Sequence, residues 1–325
     1  MSENLNKALD NILKKHGKGS VLQGDEKVEY ERIPTGSLGL DIITGGGYPI
    51  GRFVEVYAPE SSGKTTVAIH GMIQAQKKYP NKRVAIIDAE HAFDRDYAEG
   101  LGLKMDEVLI VQPDNGEQGL DIAADLIESG EISMMVIDSI AALTPKKEID
   151  GDIGDSVLGL HARLMSQACR VLTSKANKSK TVVYWTNQLR EKIGVMFGSP
   201  ETTPGGNAMK FYASIRIDLR KKKGTDIDND GDVINSKVTA KTVKNKTFPP
   251  FRSCEFDIIF GEGIDLVSEL LYYGEKAGII KKSGSWYSYD DVKLGQGSQS
   301  VKSLMRDNPE MMEEIENKIK EYYKI

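Results

Sequence analysis

The stretch FVEVYAPESSGKTTVAIHGMIQAQKK, residues 53–78, places a short polar turn between an apolar strand pattern and a helical pattern. Gly63, Lys64 and Thr65 fit the spacing Gly, four residues, Gly, Lys, Ser or Thr, while the first glycine position holds Ala58. In this pattern, backbone N–H groups at a helix start surround phosphate oxygens, the lysine reaches the β and γ oxygens, and the hydroxyl holds Mg²⁺. Alanine fits the turn if its φ is negative, whereas a left-handed conformation costs about 1 kcal/mol or more. The predicted nucleotide-binding loop comprises Pro59, Glu60, Ser61, Ser62, Gly63, Lys64, Thr65 and Thr66.

Short apolar runs alternate with helical patterns between about Ile33 and Phe260. The runs are FVEVYA, RVAIID, MMVIDSIAAL and TVVYWTNQ. Such alternation indicates βαβ units, in which parallel strands are joined by helices that cover the sheet. The sequence therefore predicts an α/β fold with a mainly parallel central sheet.

Composition divides the 325 residues into three predicted regions: an N-terminal helix and linker at 1–32, the α/β core at 33–260, and a small α+β domain at 261–325. In the first region, apolar residues recur at helical spacing and form one stripe. These residues are Leu5, Ala8, Leu9, Ile12 and Leu13. The stripe fits packing on its own domain and docking on a neighbouring subunit equally well.

The composition, 39% hydrophobic and 28% charged residues, is that of a soluble globular protein. No apolar run approaches the roughly 18 to 20 residues of a membrane span, and the start MSENLNKALD is not a secretory signal. Cys169 and Cys254 are unpatterned, so we expect a reduced, cytoplasmic setting. The formal charge of −5 disfavours nucleic-acid binding by the whole surface and leaves room for a local basic groove.

Carboxylates follow two of the apolar runs, where the ends of parallel strands meet at one edge of a sheet. Asp138 ends MMVID and is suited to orient Mg²⁺ through its water shell. Asp88 ends RVAIID, and Glu90 follows it two residues later. A carboxylate beside the γ-phosphate can orient and deprotonate water, and Glu90 is the candidate for this base.

Several motifs, in this order along nearly the whole chain, resemble the bacterial RecA recombinase family. They are PESSGKTT, DAEHAFD, MVIDSIAALTP, GDIGDS, IGVMFGSPETTPGGNAMKFYAS and VKNK. The resemblance implies a RecA-type P-loop ATPase core and a DNA-dependent ATPase that uses ATP and Mg²⁺. It also implies a helical homo-oligomer on single-stranded DNA that searches duplex DNA for homology and exchanges strands in recombinational repair.

The resemblance also assigns residues at the nucleotide. Asp94 and Tyr97 match positions beside the adenine, and Gln188 matches a glutamine that senses the γ-phosphate and leads into a DNA-binding loop. Phe260 stands where many relatives have tyrosine, so stacking on the base is expected without a hydroxyl contact. Lys244 and Lys246, in TVKNKTF, match lysines that reach ATP on the adjacent subunit. Alternation along a strand predicts that these two lysines project to one face, as a two-charge fork.

Two segments fit mobile surface loops and DNA-contacting loops equally well by their residues alone, and the family resemblance favours DNA contact. EIDGDIGDSVLGLHARLMSQACR joins a glycine-rich opening to a helix that carries Arg163, Ser166 and Arg170, and REKIGVMFGSPETTPGGNAMK is a long loop. Gly205 and Gly206 allow backbone N–H groups to approach phosphates. Leu158 and Ile193 are candidates to wedge between bases, while the arginines supply positive charge.

The stretch KKKGTDIDNDGDVINSK departs most from the family pattern. Residues 226–231 imitate the first half of a calcium loop, but Lys237 replaces the glutamate at position twelve, which favours an acidic hairpin turn. In the family, this neighbourhood contributes to self-cleavage of a LexA-type repressor, which the resemblance implies as a further partner. Two other functions fit the nucleotide site: a hexameric RecA-fold helicase, and a catalytically weak accessory protein that coats single-stranded DNA.

Overall fold

The computed structural model describes residues 2–17, 20–21, 29–152, 159–191, 201–222 and 234–325. The chain forms two compact units, Met1–Glu31 and Arg32–Ile325. In the first unit, α1 (Glu3–His16) begins after Ser2, whose hydroxyl accepts the Leu5 N–H, and ends at Gly17. The predicted helix and its end near Gly17 are confirmed, whereas docking of its apolar stripe on another subunit stays a prediction.

The second unit contains the helices α2 (Leu38–Thr44), α3 (Lys64–Lys78), α4 (Arg95–Gly100), α5 (Gly116–Glu128), α6 (Lys146–Ile149), α7 (Leu160–Ser179), α8 (Ala208–Tyr212), α9 (Leu266–Lys276), α10 (Ser298–Arg306) and α11 (Pro309–Tyr323). Its strands are β1 (Arg32–Ile33), β2 (Tyr48–Pro49), β3 (Phe53–Ala58), β4 (Arg83–Asp88), β5 (Val108–Val111), β6 (Ile132–Asp138), β7 (Val182–Gln188), β8 (Arg190–Glu191), β9 (Glu201–Thr202), β10 (Ile215–Lys221), β11 (Asn235–Asn245), β12 (Ser253–Ile259), β13 (Gly263–Ile264), β14 (Ile280–Ser283), β15 (Trp286–Tyr289) and β16 (Val292–Gln296).

A nine-stranded sheet forms the centre of the second unit, in the order β13-β12-β11-β10-β3-β7-β6-β4-β5. The strands from β10 to β5 in this order run parallel, while β11, β12 and β13 extend the sheet by antiparallel pairing. The predicted, mainly parallel α/β sheet is therefore confirmed. All four apolar runs form strands in its parallel part.

Helices cover both faces of this sheet. Successive residues of its central strand β3 face opposite sides, and both sides are apolar. Val54 and Val56 of β3 belong to the apolar cluster that also contains Val67 of α3. Phe53 belongs to the opposite cluster, together with Leu120 of α5 and further residues of α7. Burial on both faces explains why the central strands read as continuous apolar runs.

A small α+β region follows the sheet, as predicted. Strands β14, β15 and β16 form an antiparallel sheet, and helices α9, α10 and α11 pack with it around a third apolar cluster. Leu38 and Ile42 of α2 belong to the same cluster, so this region and the start of the core share buried surface. The domain boundaries at 32 and 260 stay predictions. Across the described residues, none of the helices combines the length and apolar character that a membrane span requires.

Candidate nucleotide and DNA site

The predicted phosphate loop lies between the end of β3 and the start of α3. Gly63 precedes α3 in a left-handed conformation, φ +84°, which glycine adopts without a steric penalty. Ala58 is fully buried, pairs with Gln188 of β7 and does not have a positive φ. The conformation at this position is therefore one that alanine adopts without strain, which explains why glycine is not needed there.

Lys64 is the first residue of α3, and its side chain folds back over the loop. Its ammonium group donates to the carbonyl oxygens of Pro59 at 3.0 Å and Ala58 at 3.4 Å. Burial lowers the pKa of Lys64, and the negative charges of Asp138 and Glu90 oppose that shift. The cation is thus held beside the loop by carbonyl oxygens, in a field set by two nearby carboxylates.

Thr65 and Asp138, the predicted Mg²⁺ residues, are in direct contact. The Thr65 hydroxyl donates to Asp138 Oδ2 at 2.9 Å, and the Thr186 hydroxyl donates to Asp138 Oδ1 at 2.6 Å. Burial raises the pKa of Asp138, while these two hydrogen bonds act in the opposite direction. Thr186 was missed by sequence reasoning because a hydroxyl inside an apolar strand carries no motif.

Glu90 and Gln188, predicted to act at the γ-phosphate, also meet in the structure. Gln188 Nε2 donates to Glu90 Oε1 at 3.2 Å, and the Ser139 hydroxyl donates to the same oxygen. The neighbouring acid, Asp88, has a different role because it accepts the backbone N–H groups of Ala92 and Phe93. Asp88 therefore shapes the turn that carries Glu90, and Ser139 joins the site without having been predicted.

The residues predicted at the adenine lie on two segments next to α3. Asp94 caps α4 by accepting the Tyr97 N–H at 2.9 Å, and the Tyr97 hydroxyl is 3.1 Å from that of Thr66. Phe260 is 53% exposed, in the turn between β12 and β13. Contact of these side chains with a base stays a prediction.

The two predicted DNA segments come together at the start of α7. Arg163 and Arg170 are exposed and lie on the same face of this helix, since they are seven residues apart. Gly205 and Gly206 have φ values of +86° and +71°, and a Cβ on Gly206 would lie only 3.0 Å from that of Ala162. Glycine is thus required both by conformation and by contact with α7.

The remaining DNA residues differ in what the structure says of them. Ser166, on the same helix, donates its hydroxyl to the Ala162 carbonyl at 2.7 Å, so this group is engaged within α7. Leu158 and Ile193 lie outside the described residues, as does the acidic segment 226–231. Lys237, the last position of that calcium-like pattern, lies in β11 and is 3.9 Å from Asp257.

Lys244 and Lys246 lie at the opposite edge of the sheet from the phosphate loop. Lys244 is level with Arg216, and the adjoining Ile215 is level with Val54 at the start of β3. Both lysine ammonium groups donate to the Phe211 carbonyl at 3.1 Å, so their side chains converge as predicted. Burial and the charge of Lys246 lower the pKa of Lys244 to about 8.

The phosphate loop follows β3, a central parallel strand, and Asp138 ends β6, two strands away, with Glu90 beside it. This arrangement defines a P-loop nucleotide hydrolase. The RecA N-terminal domain model matches residues 3–265, and the RecA C-terminal domain model matches residues 268–324. The chain belongs to the RecA family, whose members are DNA-dependent ATPases of recombination and DNA repair.

Curated relatives named Protein RecA resemble the chain over almost its whole length. That of Bacteroides thetaiotaomicron is 57% identical over 319 residues, which are 97% of this chain and 95% of the relative. That of Porphyromonas gingivalis is 56% identical over 98% of this chain and 93% of the relative. That of Streptococcus mutans is 52% identical over 98% of this chain and 84% of the relative. These matches cover both domains and do not favour a helicase or an accessory coating protein.

Proposed function

We propose that the chain binds ATP with Mg²⁺ at the loop 59–66, forms helical filaments on single-stranded DNA, and pairs and exchanges homologous strands. The observation that carries this proposal is the position of Gln188. Its side chain donates to Glu90, and β7 ends at Gln188, two residues before Arg190 opens the predicted DNA loop. One residue can therefore respond both to the nucleotide and to DNA.

The donor groups at the loop fit a nucleotide with Mg²⁺. The Thr65 hydroxyl and the Asp138 carboxylate offer oxygen atoms, which Mg²⁺ prefers, and Asp138 is well suited to act through water. Bound Mg²⁺ supplies positive charge to the phosphate oxygens. The backbone N–H groups of residues 60–65 and the Lys64 ammonium would donate to the same oxygens.

The chain's own residues account for the hydrolytic step. Glu90 accepts the proton of the attacking water, and the Ser139 hydroxyl and the Gln188 amide hold its carboxylate in place. Gln188 also reports the γ-phosphate to the loop that follows it. Through this link, DNA bound at the loop would control the rate of ATP hydrolysis.

The DNA surface is proposed at the exposed arginines of α7 and the neighbouring segments. Arg163 and Arg170 contact phosphates, Gly205 and Gly206 bring backbone N–H groups close, and Leu158 and Ile193 separate bases. Stacking and backbone contacts read little sequence, so sequence preference is weak.

Further partners and the location are also proposals. A LexA-type repressor is a further proposed partner, and the divergent stretch 221–237 lies in the neighbourhood that would contribute to its self-cleavage. Cytoplasmic location is supported by the two cysteines, Cys169 and Cys254, which are free and buried.

The test is hydrolysis of ATP with and without single-stranded DNA by the wild type and by Glu90→Gln. The amide keeps the shape but cannot take a proton, so hydrolysis should fall about a hundredfold while ATP and DNA binding persist. Glu313→Gln, at an exposed position of α11, is the matched control and should hydrolyse normally. Unchanged hydrolysis by Glu90→Gln would show that Glu90 is not the base. A separate assay distinguishes recombination from helicase action: strand exchange should proceed without a forked DNA substrate, which unwinding by a helicase requires.

A further inference from the structure

The turn between β12 and β13 holds Phe260 in a defined place. The Phe260 N–H donates to the Ile234 carbonyl at 3.0 Å, and the Glu262 N–H donates to the Ile259 carbonyl at 3.1 Å. On the far side of the turn, Ile264 is paired with Ile258 of β12. The exposed ring of Phe260 is thus carried by a short, hydrogen-bonded hairpin.

His70 attaches the returning strand of this hairpin to α3. Its Nε2 accepts the Ile264 N–H at 3.0 Å, and Lys64 lies about 9 Å away along the helix at roughly 1.5 Å per residue. An acceptor nitrogen requires a neutral ring. Burial, followed by the charge of Lys77, lowers the pKa of His70 to about 4, so the bond persists at neutral pH.

Close packing on either side of this bond fixes the distance between the hairpin and the phosphate loop. A Cβ on Gly263 would lie 2.3 Å from His70 Nε2 and 2.9 Å from Leu101 Cδ2. A Cβ on Gly63, the last glycine of the loop, would lie 2.3 Å from Ile258 Cδ1. The hairpin therefore touches the loop at Gly63 and the helix at His70.

We infer that His70 is a positioning residue for the base of the nucleotide: it holds the Phe260 hairpin against α3 and so sets the affinity of the site for ATP. This inference rests on the proposed nucleotide site. His70 lies outside the loop 59–66, so its effect should fall on the base end and spare the phosphates. A hairpin fixed before binding loses less freedom when the base stacks, and that difference appears as affinity.

The experiment measures binding of MgATP and of Mg²⁺ tripolyphosphate, which has no base. His70→Leu removes the acceptor but keeps an apolar side chain of similar bulk, and His70→Gln, the matched control, keeps an acceptor at the end of the side chain. Loss of one buried hydrogen bond should weaken MgATP binding by about tenfold in His70→Leu, while His70→Gln stays within about threefold of the wild type. Tripolyphosphate binding should not change, and KM for ATP should rise while kcat at saturating ATP stays the same.

A double-mutant cycle with Phe260→Ala tests the route of the effect, because additive losses mean independent action. In the Phe260→Ala background, His70→Leu should cause little further loss of MgATP affinity. The inference is overturned by full MgATP affinity in His70→Leu, by an equal loss of tripolyphosphate binding, or by additive losses in the cycle. His70→Asn, whose shorter amide does not reach Ile264, replaces His70→Leu if circular dichroism shows that the latter is unfolded. A wild type that binds neither ligand would instead refute the nucleotide site itself.

Discussion

Ala58, the residue at the first glycine position of the loop, is the last residue of β3 and is fully buried. Ala58→Gly removes a buried methyl group and adds freedom to the unfolded chain, so the free energy of unfolding should fall by about 1 kcal/mol. The phosphate contacts remain, so DNA-dependent hydrolysis should be unchanged or faster. Urea unfolding and steady-state hydrolysis measure the two effects. A loss of more than about tenfold in turnover would show that the Ala58 methyl group positions the loop.

At the scale of single residues, site residues that belong to a recognisable sequence motif could be predicted, and those outside any motif could not. Lys64 and Thr65 follow from the loop pattern, and Asp138 follows from its place at the end of an apolar run. Ser139 and Thr186 could not be predicted, because only the fold brings their hydroxyls to Glu90 and Asp138. The role of such a hydroxyl can be assigned only after the structure shows which group accepts its hydrogen bond.

At the scale of elements, the buried end of α2 depends on a carboxylate from α9. Glu269 accepts the Ser37 hydroxyl and the Gly39 N–H, both at 2.8 Å, and the Leu38 N–H at 3.1 Å. The second unit thus ties α2, its first helix, to the α+β region through one buried side chain. Burial raises the pKa of Glu269 to about 8, although all three hydrogen bonds oppose this rise.

This raised pKa makes stability depend on pH. The folded protein holds the proton more tightly than the unfolded chain, so the contribution is full below pH 4.5 and is lost as pH rises through about 8. The free energy of unfolding should fall between these values by up to about 1.4 kcal/mol per pH unit from this group. Glu269→Gln does not titrate and should have a flatter profile in urea unfolding from pH 5 to 9. Parallel profiles for the two proteins would contradict the shift.

The strands could be predicted from the sequence where they are buried on both faces of the sheet. Strands β3, β4, β6 and β7 read as continuous apolar runs, and the structure confirms each of them. In β10, buried Ile215, Ile217 and Leu219 alternate with partly exposed residues. This alternation predicts a strand less clearly than a continuous apolar run does, because the strands that pair with it are not known from the sequence. The antiparallel extension of the sheet was not predicted, since direction depends on pairing between distant segments.

At the scale of the whole molecule, the sheet separates two groups that the family resemblance assigns to one reaction. The phosphate loop follows Ala58, whereas Lys244 is level with Arg216 and through it with Glu55, three residues earlier on β3. About 10 Å of strand therefore lies between Lys244 and the loop, at about 3.3 Å per residue. Phe211, whose carbonyl accepts from both lysines, is 70% exposed. This geometry disfavours action of the lysines on the loop of their own chain, and it suits a head-to-tail contact in which each subunit presents one surface to the next.

Two inactive variants should therefore restore each other. Lys64→Ala loses its loop but keeps its lysine pair, and the double variant Lys244→Ala with Lys246→Ala loses the pair but keeps its loop. In filaments assembled at random from equal amounts, about a quarter of the interfaces join an intact loop to an intact pair, so DNA-dependent hydrolysis should return to roughly that fraction of wild type. Co-sedimentation with DNA must first show that both variants enter the same filaments. A mixture of Lys64→Ala with Glu90→Gln is the control and should stay inactive, because both changes damage the same half of the interface. If the first mixture hydrolyses no ATP although co-assembly is established, the lysines do not act on the neighbouring nucleotide.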